Sequence, residues 1–158
     1  QVLHGENYRR ILFVRHPADR LVSCFLDRIQ DPLSIPYRFM ARTLGVSEPA
    51  DITFDAFVSV IAEQDVADMN PHWRPIYNEA CCHAVTYDTV LKFEDMPGAL
   101  STLLGELYPE RIASKVDVET NISPTRTGAS SRVKDFVSTD VNQKIARIYA
   151  NDFEHFGY

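Results

Sequence analysis

The stretch "RRILFVRHPADRLVSCF" (Arg9–Phe25) places an arginine and a serine eight residues apart, after an apolar run and within a helical pattern. Arg15 carries a planar, permanently charged fork that suits two-point contact with a phosphate. Ser23 adds a hydroxyl about two helical turns further on, on the face turned toward the same anion. The pair predicts an anion-binding site. The alternative is an ordinary strand–turn–helix unit in which Arg15 pairs with an acidic residue and Ser23 only packs.

Two local elements must position these side chains. The run "ILFV" (Ile11–Val14) is short and continuously apolar, which is typical of a strand buried on both faces. Pro17 suits the first turn of a helix, and apolar residues of "ADRLVSCFLDRI" recur at helical spacing. The carboxyl end of a parallel strand is where open α/β sheets bind ligands, and the helix that follows points its N-terminus there. Arg15 is expected at that position. For Arg20 a solvated surface position is favoured, and the alternative is that it adds to the positive field at the helix.

The rest of the chain continues in alternating helices and strands. Thr53 is a predicted N-cap for the helix "FDAFVSVIAEQ", and residues Ala84–Glu94 have the β-branched and aromatic content of a second strand. The segment Asn121–Arg132 is rich in small polar residues and is a predicted loop. Thr139 or Asp140 is expected to cap a final helix, "VNQKIARIYANDFEHF". This order predicts an α/β fold.

Composition restricts the class of protein. A chain of 158 residues with 45% hydrophobic content can bury a core, so residues 1–158 are expected to form one domain. The net charge of −6 argues against a nucleic-acid binder, and no apolar run or signal peptide suggests a membrane segment. Cys24, Cys81 and Cys82 lack the paired spacing of a zinc site. We therefore expect no metal and favour a reduced, intracellular chain.

Four segments resemble a known family. "ILFVRHPADRLVSCF" looks like the 3′-phosphate-binding motif of the sulfotransferases, in which a strand leads into Arg, a proline turn and a helix with Ser eight residues later. "NPHWRPIYNEACCHAVTYDTVLKFED", "NISPTRTGASSR" and "IYANDFEHFGY" are similar, in the same order, to later segments of the carbohydrate sulfotransferases, the chondroitin-type enzymes and their bacterial relatives. The resemblance covers most of the chain.

The resemblance implies a P-loop-NTPase-like sulfotransferase fold, with a parallel sheet flanked by helices. It also implies transfer of a sulfuryl group from 3′-phosphoadenosine 5′-phosphosulfate to a hydroxyl acceptor, by default on a carbohydrate. On this resemblance Arg15 and Ser23 hold the donor's 3′-phosphate. Arg126 and Gly128 line the same nucleotide, since a glycine allows the backbone to approach closely.

The sequence departs from the family at its start. These enzymes carry a lysine-containing loop for the 5′-phosphosulfate, one strand upstream of the arginine. Here fourteen residues precede Arg15, and "QVLHGENYRR" contains no lysine. The expectation is that the N-terminal part has been lost from this sequence, or that the chain cannot carry out transfer unaided. Residues 1–158 would then be the C-terminal part of the full domain.

His72 is the candidate catalytic base. It lies in "NPHWRP", a loop restrained by two prolines, and an imidazole titrates near neutral pH. A structural hydrogen-bonding role for His72 stays open, and Trp73 beside it is expected in the core.

Two other hypotheses concern function. "ILFVRHP" also resembles the start of the histidine phosphatases, where His16 would be the nucleophile, although Pro17 replaces the glycine of that family. A non-catalytic nucleotide- or anion-binding domain is the other alternative. The sequence suggests a bacterial cytoplasmic location, with the Golgi lumen as the alternative, because a spaced cysteine pair is missing.

Overall fold

The computed structural model describes residues 8–96, 98–110, 115 and 128–158. The described strands are β1 (Ile11–Val14) and β2 (Thr89–Lys92). The described α-helices are α1 (Pro17–Cys24), α2 (Ile35–Leu44), α3 (Phe54–Ala62), α4 (Ile76–Glu79), α5 (Gly98–Leu107), α6 (Ala129–Phe136), α7 (Thr139–Ile148) and α8 (Ala150–Phe156). A turn of π-helix (Phe25–Ile29) continues α1, and single turns of 3₁₀-helix cover Pro49–Asp51, Val66–Asp68 and Phe93–Asp95.

The strands β1 and β2 pair in parallel, which confirms the predicted α/β class. Their register runs from Ile11 opposite Thr89 to Val14 opposite Lys92. Within the described residues the sheet has these two strands, and helices pack around it. Parallel pairing brings the carboxyl ends of β1 and β2 to the same edge, where Arg15 and Phe93 follow.

The core lies between α1, α3 and α7. On α1 and its π-helical continuation, the predicted apolar face is buried, with Leu21, Val22 and Ile29 fully excluded from solvent. Helix α3 contributes Phe57, Val58 and Ile61 to the same cluster. Helix α7 contributes Val141 and Ile145. Because α1 belongs to this core, its position relative to the rest of the site is fixed by packing.

The second strand is shorter than the predicted Ala84–Glu94. The carboxylate of Asp88 accepts a hydrogen bond from the backbone N–H of Arg10 at 2.7 Å, just before the first paired residue. Upstream, the Tyr87 hydroxyl donates to the carbonyl of Ala80 at 2.8 Å and folds that segment back on itself. The chain therefore joins the sheet at Thr89 and leaves it after Lys92.

Three other local predictions are wrong. The final helix is capped by Ser138, whose hydroxyl accepts from Val141 N–H at 3.3 Å, and it is interrupted at Tyr149 between α7 and α8. The predicted loop Asn121–Arg132 is helical from Ala129, since α6 begins there; residues 121–127 lie outside the described residues. Helix α2 was not expected, although Ser34 caps it and Gly45 ends it at a φ of 70°.

The predicted cap of α3 is confirmed and gives a stability test. The Thr53 hydroxyl accepts a hydrogen bond from Ala56 N–H at 3.2 Å. We expect Thr53→Ala to lower the free energy of unfolding by about 1 kcal/mol, because the first turn loses an acceptor. Urea unfolding followed by circular dichroism measures the change. Thr43→Ala is the control, since that hydroxyl donates to Phe39 O within its own helix and caps no helix end. Equal losses in the two variants would contradict the capping role.

Candidate functional site: an arginine-lined cavity

A cavity of about 270 Å³ opens where β1 runs into α1. It is bounded by α1, the π-helical turn and the loop that precedes α4. The lining residues are Arg15, Arg20, Ser23, Cys24, Asp27, Arg28, Pro71 and His72. Three arginines face one aspartate, so the cavity is suited to an anion.

Arg15 leaves the sheet directly after the buried Val14. Its guanidinium lies 5.2 Å from the centroid of the Phe93 ring, and its Nη2 donates to the Ser130 hydroxyl at 3.4 Å. Its Nε is buried and has no hydrogen-bond partner among the described residues. The alternative in which Arg15 pairs with an acidic residue is not seen in the described part of the chain. A buried donor without an acceptor is energetically costly.

Ser23 lines the same cavity as Arg15, and the shared anion stays a prediction. Helix α1 presents Arg20 and Ser23 on one face because they are three residues apart, and Asp27 follows one turn later. Cys24 also lines the cavity, and burial raises the pKa of its thiol to about 12. That thiol is therefore neutral near pH 7 and adds no negative charge to the cavity.

Arg20 is not the solvated surface residue that the sequence suggested. Its Nη2 donates to the carbonyl oxygens of Pro71 and Arg74, at 3.0 Å and 2.6 Å. Its Nη1 is buried and, within the described residues, has no hydrogen-bond partner. Arg20 thus ties the 70–75 loop to α1 and leaves a second donor at the cavity. Its spacing from Ser23 was a signal that could have identified it.

The loop at residues 70–75 is held in place on both sides. Trp73 is 1% exposed, as expected for a core residue, and its Nε1 donates to Gln64 Oε1 at 2.9 Å. The Tyr149 hydroxyl donates to the Trp73 carbonyl. Asn70 Oδ1 accepts from His72 N–H at 3.0 Å. With this backbone fixed, the exposed His72 side chain is held at the cavity wall.

His72 therefore lies beside Arg15 and Ser23. Burial lowers the pKa of its imidazole, and the charge of Arg28 lowers it further. Arg28 itself forms an ion pair with Asp27 at 2.9 Å. Sequence reasoning did not identify Arg28 as a cavity residue.

The turn after Arg15 is held by the C-terminal residues. Glu94 Oε1 accepts from His16 N–H at 2.6 Å, and its Oε2 accepts from the Tyr158 hydroxyl at 3.1 Å. Lys92 Nζ donates to the carbonyl of Gly157 at 2.7 Å and lies 4.4 Å from the centroid of the Tyr158 ring. Burial and the neighbouring Glu94 carboxylate raise the pKa of Tyr158. These contacts fix the backbone on which Arg15 depends.

His16 shapes this turn. Its Nδ1 accepts a hydrogen bond from Ala18 N–H at 3.2 Å and so caps α1. The ring also packs edge-on against Phe153 and Tyr158. These structural contacts give no support to the hypothesis of a phosphorylated histidine.

Two more residues, Arg126 and Gly128, were predicted to contact the nucleotide. Gly128 precedes α6 as its N-cap residue with a φ of 62°, a left-handed conformation that favours glycine, and it is not among the cavity-lining residues. The next helical residues, including the Arg15 acceptor Ser130, pack α6 against α1. Arg126 lies outside the described residues.

Comparison with known proteins agrees with this architecture. A sequence profile of the Sulfotransferase family matches residues 1–158. The chain belongs to the sulfotransferase family. Its mixed α/β fold with a parallel strand pair is consistent with that of sulfotransferases, as expected from the sequence. No solved structure matches the chain significantly.

The chain is similar to several vertebrate carbohydrate sulfotransferases. Carbohydrate sulfotransferase 14 of Mus musculus is 30% identical over 107 residues, which are 63% of this chain and 28% of that protein. Carbohydrate sulfotransferase 11 of Danio rerio is 27% identical over 175 residues, or 97% of this chain and 47% of that protein. Carbohydrate sulfotransferase 12 of Mus musculus is 27% identical over 179 residues, again 97% of this chain, and 41% of that protein.

The sulfotransferase chain thus spans less than half the length of these relatives. The relatives named are vertebrate proteins, and they give no support to the expected bacterial cytoplasmic location. No helix in the described ranges is long and apolar enough to cross a membrane.

Proposed function

We propose that this chain binds 3′-phosphoadenosine 5′-phosphosulfate and serves the transfer of its sulfuryl group to a carbohydrate hydroxyl. The observation that carries the proposal is the cavity in which Arg15 and Arg20 keep buried guanidinium nitrogens without a partner among the described residues. A phosphate oxygen supplies the acceptor that these nitrogens lack. The carbohydrate acceptor is inferred from the names of the relatives, which are carbohydrate sulfotransferases.

In this proposal the 3′-phosphate of the donor occupies the cavity. Arg15 offers a charged fork, Ser23 a hydroxyl on the same wall, and Arg20 a buried N–H nearby. Arg126 and Gly128 are proposed to line the same nucleotide. When bound, the donor supplies an activated sulfuryl group for in-line attack by the acceptor hydroxyl, a chemistry that needs positioning and positive charge more than covalent participation of the protein.

Three further assignments stay predictions. The sequence predicts His72 as the base that takes the acceptor's proton; because His72 lines the cavity assigned to the 3′-phosphate, a contact with the nucleotide is the competing role. One domain over residues 1–158 is a prediction that the structure does not test. The Golgi lumen is the proposed location, as for the carbohydrate sulfotransferases that the sequence resembles.

The donor proposal is tested by a nucleotide comparison. We expect 3′-phosphoadenosine 5′-phosphate to bind more tightly than adenosine 5′-phosphate by at least about 1.5 kcal/mol, because the 3′-phosphate gains charge-assisted hydrogen bonds. Isothermal titration calorimetry at one fixed salt concentration measures both affinities. Equal affinities would contradict the proposal, since the cavity would then not recognise the 3′-phosphate.

The non-catalytic alternative makes the same binding prediction and differs in turnover. A sulfotransferase releases 3′-phosphoadenosine 5′-phosphate from the donor when a carbohydrate acceptor is added, whereas a binding domain does not. Chromatographic detection of that product, with and without chondroitin as acceptor, separates the two. Product formed only with acceptor supports transfer.

A further inference from the structure

His72 lies at an unexpected place for a group that acts on the acceptor. It lines the same cavity as Arg15 and Ser23, the pair assigned to the 3′-phosphate. The 3′-phosphate and the transferred sulfuryl group are at different ends of the donor, on the 3′ and 5′ sides of the ribose. A side chain that faces one end is therefore placed to contact the nucleotide rather than the reacting sulfur.

The position of His72 does not depend on a flexible loop. The backbone on either side is tied to α1 by Arg20, which donates to Pro71 O and Arg74 O. Arg74 in turn donates to Met69 O at 2.6 Å and to Glu79 Oε2 at 2.8 Å. His72 consequently lines the cavity from a chain segment that packing and hydrogen bonds hold still.

The charged groups that face His72 come from both sides of the cavity. Arg15 follows β1, Arg20 lies on α1, and Asp27 and Arg28 lie on the π-helical turn. The thiol of Cys24, also on this wall, is neutral because burial raises its pKa to about 12. Burial and then the Arg28 charge lower the pKa of His72, against an opposing effect of Asp27, so the neutral imidazole predominates at pH 7 in the free protein.

A bound phosphate reverses this electrostatic balance. It brings up to two negative charges into a cavity with three arginines and one aspartate. An opposite charge within hydrogen-bonding reach favours the protonated imidazole. The neutral ring of the free protein can thus become a charged donor when the nucleotide enters.

We propose that His72 is a specificity-determining ligand of the donor's 3′-phosphate and takes up a proton when the nucleotide binds. This inference rests on the proposed function and deepens it. It predicts that the affinity for 3′-phosphoadenosine 5′-phosphate contains a contribution from His72 that is present at low pH and is lost as the pH rises through the titration of the bound imidazole.

The test is calorimetric titration of 3′-phosphoadenosine 5′-phosphate in two buffers of different ionisation enthalpy, between pH 6 and pH 8. We expect a net proton uptake in the wild-type protein that disappears in His72→Gln, because glutamine keeps a hydrogen-bond donor but cannot be protonated. At pH 6 the variant should bind about tenfold more weakly, the scale of one charge-assisted bond, and the deficit should shrink toward pH 8. The binding of adenosine 5′-phosphate should not change.

His83→Gln is the matched control, since His83 is exposed and is not among the cavity-lining residues. It should bind both nucleotides as the wild type does and keep the proton uptake. If the wild type prefers the 3′-phosphate but His72→Gln leaves both that preference and the proton uptake intact, the role of His72 is overturned while the proposed function stands. If the wild type shows no preference, the proposed function fails, and this inference fails with it.

Discussion

Replacement of Arg15 by alanine should weaken binding of 3′-phosphoadenosine 5′-phosphate by about a hundredfold, the loss expected for two charge-assisted hydrogen bonds. The guanidinium is fixed by its stacking on Phe93 and by the turn that Glu94 holds through His16 N–H. The side chain is therefore already ordered in the free protein, so binding costs little additional rotamer entropy. Isothermal titration calorimetry of wild type and variant measures the change.

Two further variants distinguish specific recognition of the 3′-phosphate from a general effect of positive charge. Arg42→Ala removes an exposed arginine of α2 that is not among the cavity-lining residues, and it should leave the affinity unchanged. Arg15→Lys keeps the charge but loses the planar fork, so an intermediate affinity is expected. The hypothesis is contradicted if Arg15→Ala lowers the affinity for adenosine 5′-phosphate as much as that for the 3′-phosphorylated nucleotide.

Truncation of Trp73 to alanine should lower the free energy of unfolding by about 3–5 kcal/mol, the range measured for large aromatic residues in cores. The indole is 1% exposed, and the Phe57 ring packs edge-on against it at a centroid distance of 5.8 Å. Its removal also leaves Gln64 Oε1 without its donor. Since Trp73 is the one tryptophan of the sequence, urea unfolding is followed by far-ultraviolet circular dichroism.

Phe39→Ala is the matched control for this prediction. Phe39 contacts the same indole at a centroid distance of 6.3 Å but is 45% exposed, so the loss should be about 1 kcal/mol, in proportion to the smaller area buried. Losses of similar size at both positions would show that Trp73 is not an anchor of the 70–75 loop.

Local patterns in the sequence predicted the elements that carry the site. The apolar run before Arg15 identified β1, and the proline turn with its helical spacing identified α1. Thr53 was identifiable as a cap because a hydroxyl before an apolar helical pattern has one common use. These predictions succeed because each depends on neighbours within one or two helical turns.

The packing of the 70–75 loop against α1, which completes the cavity, could not be predicted in this way. Arg20 and His72 meet because the 70–75 loop returns to α1, and their separation of about fifty residues leaves no local pattern. The start of β2 was likewise set by Asp88, whose carboxylate accepts from the backbone N–H of Arg10 on the neighbouring strand segment. The sequence pattern predicts that a strand continues up to the next turn-forming residue. The contacts with the neighbouring strand determine where pairing begins.

The contacts made by the last residues have a consequence for biosynthesis. The Asp152 carboxylate accepts from Ile76 and Tyr77 N–H across a sequence separation of about 76 residues, and the Tyr158 hydroxyl reaches Glu94. A growing chain cannot close these long loops until its C-terminal segment has left the ribosome. Until then the apolar faces of α1 and α3 lack the covering helix α7, and such exposed apolar surface makes a folding chain prone to aggregation.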